Sequence, residues 1–192
     1  MSAHRIPRLT PERYLEIERG NDFRSEYYDG QMFAMSGVTL PHSLLVASVA
    51  RCFGNSLKSG PCLVSAAELL VRGAKDGPYM YPDVVVMCDE PKLADDHRDV
   101  LLNPTAIIEV LSKSTEAHDR GQKFSWYRQI ASVREYILVS QTAHRIETFF
   151  RQGAGEWSLR EFSGLDATLV CRSIDCAIPL AEIYDKVVLQ QE

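Results

Sequence analysis

The sequence predicts an α/β fold whose core runs helix, three strands, helix, strand, with additional β-hairpins around it. Three observations predict it. From Pro41, Leu45, Val46, Val49, Phe53 and Leu57 recur at helical spacing until Gly60-Pro61 breaks the run. Three β-type runs follow, over 62–72, 81–88 and 105–112. A helix-like run over 115–131, with Phe124, Tyr127, Ile130 and Ala131 as its apolar face, then leads into more β-type sequence.

The flanking elements follow from local chemistry. Thr10 can cap free N–H groups and Pro11 suits the first helical turn, so a short helix should run from there to near Gly20. Asp29-Gly30 supplies the positive φ angles of a tight hairpin turn between strands expected at 23–28 and 31–36. After the second core helix come β-type runs at 134–140, 144–151 and 156–163, with Gly153-Ala154-Gly155 as a hairpin turn. A last strand is expected near Thr168–Cys171, before a short amphipathic segment at 179–187. No repeat or linker interrupts the 192 residues, so residues 1–192 are expected to form a single domain.

An apolar share of 45% and a charged share of 24% are those of a globular chain and leave no case for disorder. The N-terminal twenty residues lack a secretory pattern and nothing approaches a membrane span, so a cytoplasmic protein with no membrane partner is expected. Cys52, Cys62, Cys88, Cys171 and Cys176 form no CxxC pair and are odd in number, which predicts reduced core cysteines. A net charge of −5 argues against a binder that grips nucleic acid by a general basic surface. No HExxH, P-loop or Gly-rich dinucleotide signature is present, which removes zinc-protease and nucleotide-binding readings.

The informative feature is a pair of acids on strands apolar enough to be buried. Asp83 precedes Val84-Val85-Val86, and Glu109 follows Ala106-Ile107-Ile108. If these strands pair antiparallel, Asp83 at the start of one lies beside Glu109 near the end of the other, on the same face. A one-residue slip would separate them. Two converging carboxylates suit a hard cation such as Mg²⁺, which could activate water and stabilise charge developing on a phosphate. The alternative is structural: Asp83 at a surface strand end and Glu109 in an ion pair.

At these residues the chain resembles the Uma-two family of restriction-endonuclease type, within the PD-(D/E)XK nuclease superfamily. The motifs are Tyr81-Pro82-Asp83-Val84, then Asn103-Pro104 leading into Ile108-Glu109-Val110-Leu111-Ser112, then Asp119-Arg120-Gly121-Gln122-Lys123 leading to Tyr127. The resemblance runs from near Thr10 to near Val187. It implies a restriction-endonuclease-like core, with Asp83 and Glu109 binding Mg²⁺ or Mn²⁺ and a lysine positioning or activating the attacking water. The superfamily's lysine position, two after Glu109, is Leu111 here, which can do no such work. The resemblance makes Lys123 the replacement, on a helical edge with Asp119 and Tyr127. Lys113 is a second candidate. Glu68 is implied as a third metal ligand or water contact, and Glu26, Asp119 and Tyr127 as pocket residues. His42 and His118, near helix starts, could touch phosphate, although capping roles are favoured.

The expected function is therefore metal-dependent endonuclease cleavage of DNA, with the word DNA supplied by the resemblance. A catalytically inactive nuclease-fold binding or assembly module is the first alternative, favoured by Leu111 and the acidic charge. A hydrolase of RNA or another phosphate ester is the second, since a carboxylate site does not choose its substrate. Homodimerisation is open, many DNA-cutting proteins of this architecture acting as dimers.

Overall fold

The computed structural model describes residues 8–35, 37–66, 68–153 and 155–189. Helix α1 (Pro11–Gly20) starts as its sequence requires: the Thr10 hydroxyl accepts from the Arg13 N–H at 3.3 Å. Strands β1 (Ser25–Tyr28) and β2 (Gln31–Ala34) form the expected hairpin, with Asp29 at φ 52° and Gly30 at φ 75°. The second strand stops before the 36 expected for it; Ser36 lies outside the described residues. Helix α2 (Leu40–Leu57) buries Leu45, Val49, Phe53 and Leu57, the face its periodicity predicts.

The apolar run 62–72, expected as one strand, is two. Strand β3 (Leu63–Ala66) and strand β4 (Leu70–Arg72) are separated by a turn with Glu68 at φ 63°, and they join different sheets. Two short strands, β5 (Tyr79–Met80) and β7 (Val100–Leu101), escaped the sequence reading because two residues carry no periodicity. Between and after them lie β6 (Val84–Met87) and β8 (Ala106–Val110).

The expected helix over 115–131 is shorter and irregular. It consists of α3 (Glu116–His118), a π-helical turn (Asp119–Lys123) and α4 (Phe124–Tyr127). Ile130 is buried beyond its end and Ala131 is exposed. Strands β9 (Glu135–Val139), β10 (Arg145–Arg151), β11 (Trp157–Ser163), β12 (Thr168–Cys171) and β13 (Cys176–Pro179) complete the chain with α5 (Leu180–Ile183). The β10–β11 hairpin pairs Arg151 with Trp157 across the expected turn, of which Ala154 lies outside the described residues.

A six-stranded sheet, β11-β10-β9-β8-β6-β3, forms the centre. Strand β6 runs antiparallel to both of its neighbours, β3 and β8, and the irregular helix carries the chain over to β9, parallel to β8. One face of this sheet packs on α2, α5 and the β12–β13 hairpin through Leu45, Phe53, Ile108, Ile178 and Ile183. The other face packs on Tyr127, Ile130, and Val71, Met80 and Leu101 of a five-stranded sheet, β2-β1-β5-β4-β7. Both faces are covered, so β6 reads as an unbroken apolar run and β8 as one interrupted only by Glu109.

The cysteine expectation is corrected in part. Cys62 and Cys88 form a disulfide, whereas Cys52, Cys171 and Cys176 are free and buried. The antiparallel register that opposes Leu63 to Met87 also brings their neighbours Cys62 and Cys88 face to face, which spacing along the chain cannot reveal. Among the described residues, no helix is long and apolar enough to cross a membrane.

Candidate active site

Strands β6 and β8 pair with Val84 opposite Ile108, so Asp83 and Glu109 face each other at one end of the central sheet. Each acid takes a backbone N–H from the other's strand. The Val110 N–H donates to Asp83 Oδ2 at 2.7 Å, and the Asp83 N–H reaches Glu109 Oε2 at 3.4 Å. These contacts fix the register on which the juxtaposition depends.

Glu109 lies between Ile107 and Leu111 in sequence and is buried at the base of the cleft, toward the irregular helix. Two helical groups meet it. Lys123 Nζ lies 3.3 Å from Glu109 Oε1, and the Tyr127 hydroxyl donates to the same oxygen at 3.2 Å. The ammonium also reaches Glu26 Oε1 on β1 at 3.0 Å and stands 3.7 Å from Asp119 Oδ1. Glu26 Oε1 is held in turn by the Tyr81 N–H at 3.1 Å.

The π-helical turn spans Asp119 to Lys123, and both ends of it point inward. Such wide turns often mark functional sites because they re-aim side chains within a helix. The Tyr136 hydroxyl donates to the Asp119 carbonyl at 2.9 Å and anchors the turn to β9.

Charge balance within the cleft is unequal. Four carboxylates, from Glu26, Asp83, Glu109 and Asp119, line the cleft with one lysine, and three of them, all but Asp83, stand within 3.7 Å of its ammonium. Burial holds the Glu109 carboxyl well above the usual range, and the charges of Asp119, Asp83 and Glu26 add to this against the pull of Lys123. Asp119 is raised too, first by burial and then by Asp83. Burial alone would lower the Lys123 ammonium, but Glu109, Glu26 and Asp119 outweigh it and raise the group. Asp119 Oδ1 is buried without a hydrogen-bond partner.

His42 enters the site from the first turn of α2. Its Nε2 lies 3.1 Å from the Val110 carbonyl oxygen and 3.5 Å from Asp83 Oδ2. Burial opposes its charged form, but Asp83, the Val110 carbonyl and Asp119 raise its pKa on balance. The sequence reading favoured a capping role for it, and the only available signal was a histidine at the start of an apolar helix.

The structure brings together Asp83, Glu109, Lys123, Glu26, Asp119 and Tyr127. It does not bring Glu68, the expected third ligand. That residue sits in the exposed turn between β3 and β4, paired with Arg24 at 3.1 Å, because the chain there changes sheets instead of continuing along the strand. Lys113 is exposed and does not line the cleft. Leu111 is buried among Val71, Tyr127 and Leu138, so its position belongs to the core. His118 lines the mouth of the cleft, which has a volume of about 340 Å³.

A three-stranded antiparallel unit crossing over to a parallel fourth strand, with acids opposed at the ends of its middle strands, defines a restriction-endonuclease-like α/β protein. The chain matches the Uma2 family model, described as "Putative restriction endonuclease", over residues 11–181, and it belongs to that family. It is 34% identical over 179 residues to the uncharacterised protein slr1290 of Synechocystis sp., covering 93% of each chain. A second Synechocystis sp. protein, the uncharacterised sll1609, is 31% identical over 161 residues, 84% of this chain and 91% of the relative. The crystal structure of a "putative nuclease belonging to DUF820" from Anabaena variabilis superposes with a TM-score of 0.75 at 15% identity, covering 94% of this chain and 99% of the other.

Proposed function

We propose that this protein is a nuclease that hydrolyses DNA phosphodiester bonds with Mg²⁺ or Mn²⁺ held by Asp83 and Glu109. The observation that carries the reading is the opposed pair of acids beside Lys123 in a cleft where carboxylates outnumber cations. The surplus fits a divalent ion, since the donors are hard carboxylate oxygens and the buried Asp119 Oδ1 has no hydrogen-bond partner, its ion pair to Lys123 being 3.7 Å long. Among the described residues no cluster of three or more His, Cys, Asp or Glu side chains forms a ready metal cage. A site for Mg²⁺ would need one or two of these carboxylates together with substrate phosphate and water.

When bound, the ion would supply a more acidic water and neutralise charge at the phosphate. The chain's own residues do the remaining work. Lys123 keeps its proton, because three acids hold its pKa up; it acts by orienting water and countering charge at phosphorus, not by accepting a proton. Glu26 and Asp119 aim the ammonium, and Tyr127 fixes the Glu109 carboxylate. His42 steadies the Val110 carbonyl beside Asp83. Water adds to phosphorus and gives up a proton to solvent, one phosphate ester bond breaks, and the leaving oxygen takes a proton from solvent.

The test is cleavage of plasmid and single-stranded DNA with Mg²⁺ or Mn²⁺ by wild type, Asp83→Asn, Glu109→Gln and Lys123→Ala, each checked for folding. Metal-dependent cutting lost in all three variants is the expected result. Activity retained by Lys123→Ala would remove that lysine from the mechanism alone. A second reading, a binding module without catalysis, draws on the ammonium being already engaged by acids and on Leu111. It gains if no preparation cuts and no divalent ion raises the melting temperature.

A further inference from the structure

One wall of the cleft is apolar and aromatic where a duplex-binding groove would be basic. Phe33, Met35 and Val38 line it and are exposed, at 37%, 42% and 66%, and Leu40 and Leu44 extend the same surface along the start of α2. An exposed apolar strip continuous with a site marks a binding surface.

The strip is backed by stacked rings. Phe33 lies parallel to Tyr28 at 3.8 Å between centroids, with a 3° interplanar angle, and Tyr28 meets Trp126 at 4.5 Å and His118 at 5.7 Å. Tyr28 and Phe33 come from the two strands of the β1–β2 hairpin, Trp126 from α4 and His118 from α3. A flat, braced ring with one face toward solvent is what a nucleobase stacks on.

Cations are scarce on the same wall. Among the described residues lining the cleft, only Lys123, His42 and His118 can carry positive charge, and Lys123 is engaged by Glu26, Glu109 and Asp119. Duplex recognition draws most of its affinity from Lys and Arg on phosphates. A wall without them gains little from paired DNA, in which the π-faces of bases are hidden.

We propose that the Phe33–Tyr28 stack is a base platform, and that the site takes a nucleic-acid strand with unpaired bases, such as a single strand, flap or open end, in preference to continuous duplex. The proposal rests on the nuclease reading of the same cleft.

The test is fluorescence anisotropy with a labelled 15-nucleotide DNA strand, the same strand in a blunt duplex, and the same sequence as RNA, with Ca²⁺ replacing Mg²⁺ to hold complexes uncut. The single strand is expected to bind at least tenfold more tightly than the duplex. Phe33→Leu, which keeps an apolar packing group but has no π-face, should weaken single-strand binding about tenfold and leave duplex binding unchanged. Phe33→Tyr should bind like wild type. RNA held with the same dependence on Phe33 also supports the platform, since stacking does not read the sugar.

Duplex binding as tight as single-strand binding overturns the proposal, as does a Phe33→Leu variant that binds like wild type. Plasmid cleavage in Mg²⁺ by the same preparation separates the two readings. Cutting without a Phe33-dependent strand preference removes the platform and keeps the nuclease; the preference without any cutting does the reverse.

Discussion

Lys123 is the residue on which the site's electrostatics turn, since it is the one cation among three buried or nearly buried acids. Removing one partner of a buried ion cluster leaves charge uncompensated, so Lys123→Met should cost about 3–5 kcal/mol of stability at neutral pH. If Asp83 and Glu109 bind a divalent ion, Mn²⁺ should then raise the melting temperature more in Lys123→Met than in wild type, because the ion replaces the lost charge. Thermal melts with and without Mn²⁺ read both effects. Glu135 is a second buried acid, far from the cleft, with Oε2 held by the Ser173 N–H at 3.0 Å and Oε1 unpartnered. Burial raises its pKa above the ordinary 4.5, against the Ser173 hydrogen bonds. The folded state therefore holds this proton more tightly than the unfolded chain, so the stability contribution is complete below about pH 4.5 and is lost as pH rises through the folded pKa. Urea midpoints at pH 4.5 and pH 7 should fall more in wild type than in Glu135→Gln.

Elements decide where these residues point. Asp83 and Glu109 are legible in the sequence because a lone acid beside a run of apolar residues stands out, but their antiparallel register is fixed only by the pairing of β6 with β8 in the folded sheet. The π-helical turn is not legible, since residues 115–131 show ordinary helical periodicity while the wide turn is set by contact with Tyr136 on β9. Deleting Gly121, a position where an added Cβ would meet nothing within 4 Å, should let the turn relax to an α-helix. Asp119 and Lys123 then stand three residues apart on a tighter turn, which shifts the ammonium from its place between Glu26 and Glu109. The expected result is near-native circular dichroism with cleavage lost; full cleavage by the deletion variant would show that the turn is not needed.

For the whole molecule, the Cys62–Cys88 bridge ties edge strand β3 to β6, closing a loop with a sequence separation of 26. A link of this span stabilises by about 2–4 kcal/mol. Reductant should lower the wild-type urea midpoint by a corresponding amount and leave a Cys62→Ser, Cys88→Ser double variant unmoved. An unshifted wild type would mean that the bridge contributes nothing in solution. The two sheets also explain the fate of Glu68. The switch from the central sheet to the five-stranded one turns it outward to Arg24.

The sequence by itself determined the order of the core elements, the β1–β2 turn and the buried face of α2. All of these depend on local propensity, periodicity or neighbours close along the chain. Only the tertiary structure decided the disulfide, the exclusion of Glu68, the entry of His42 and the convergence of Glu26 with Lys123. Each of these is a contact between residues 26 to 97 positions apart, arranged by sheet order and packing, to which a one-dimensional pattern is blind.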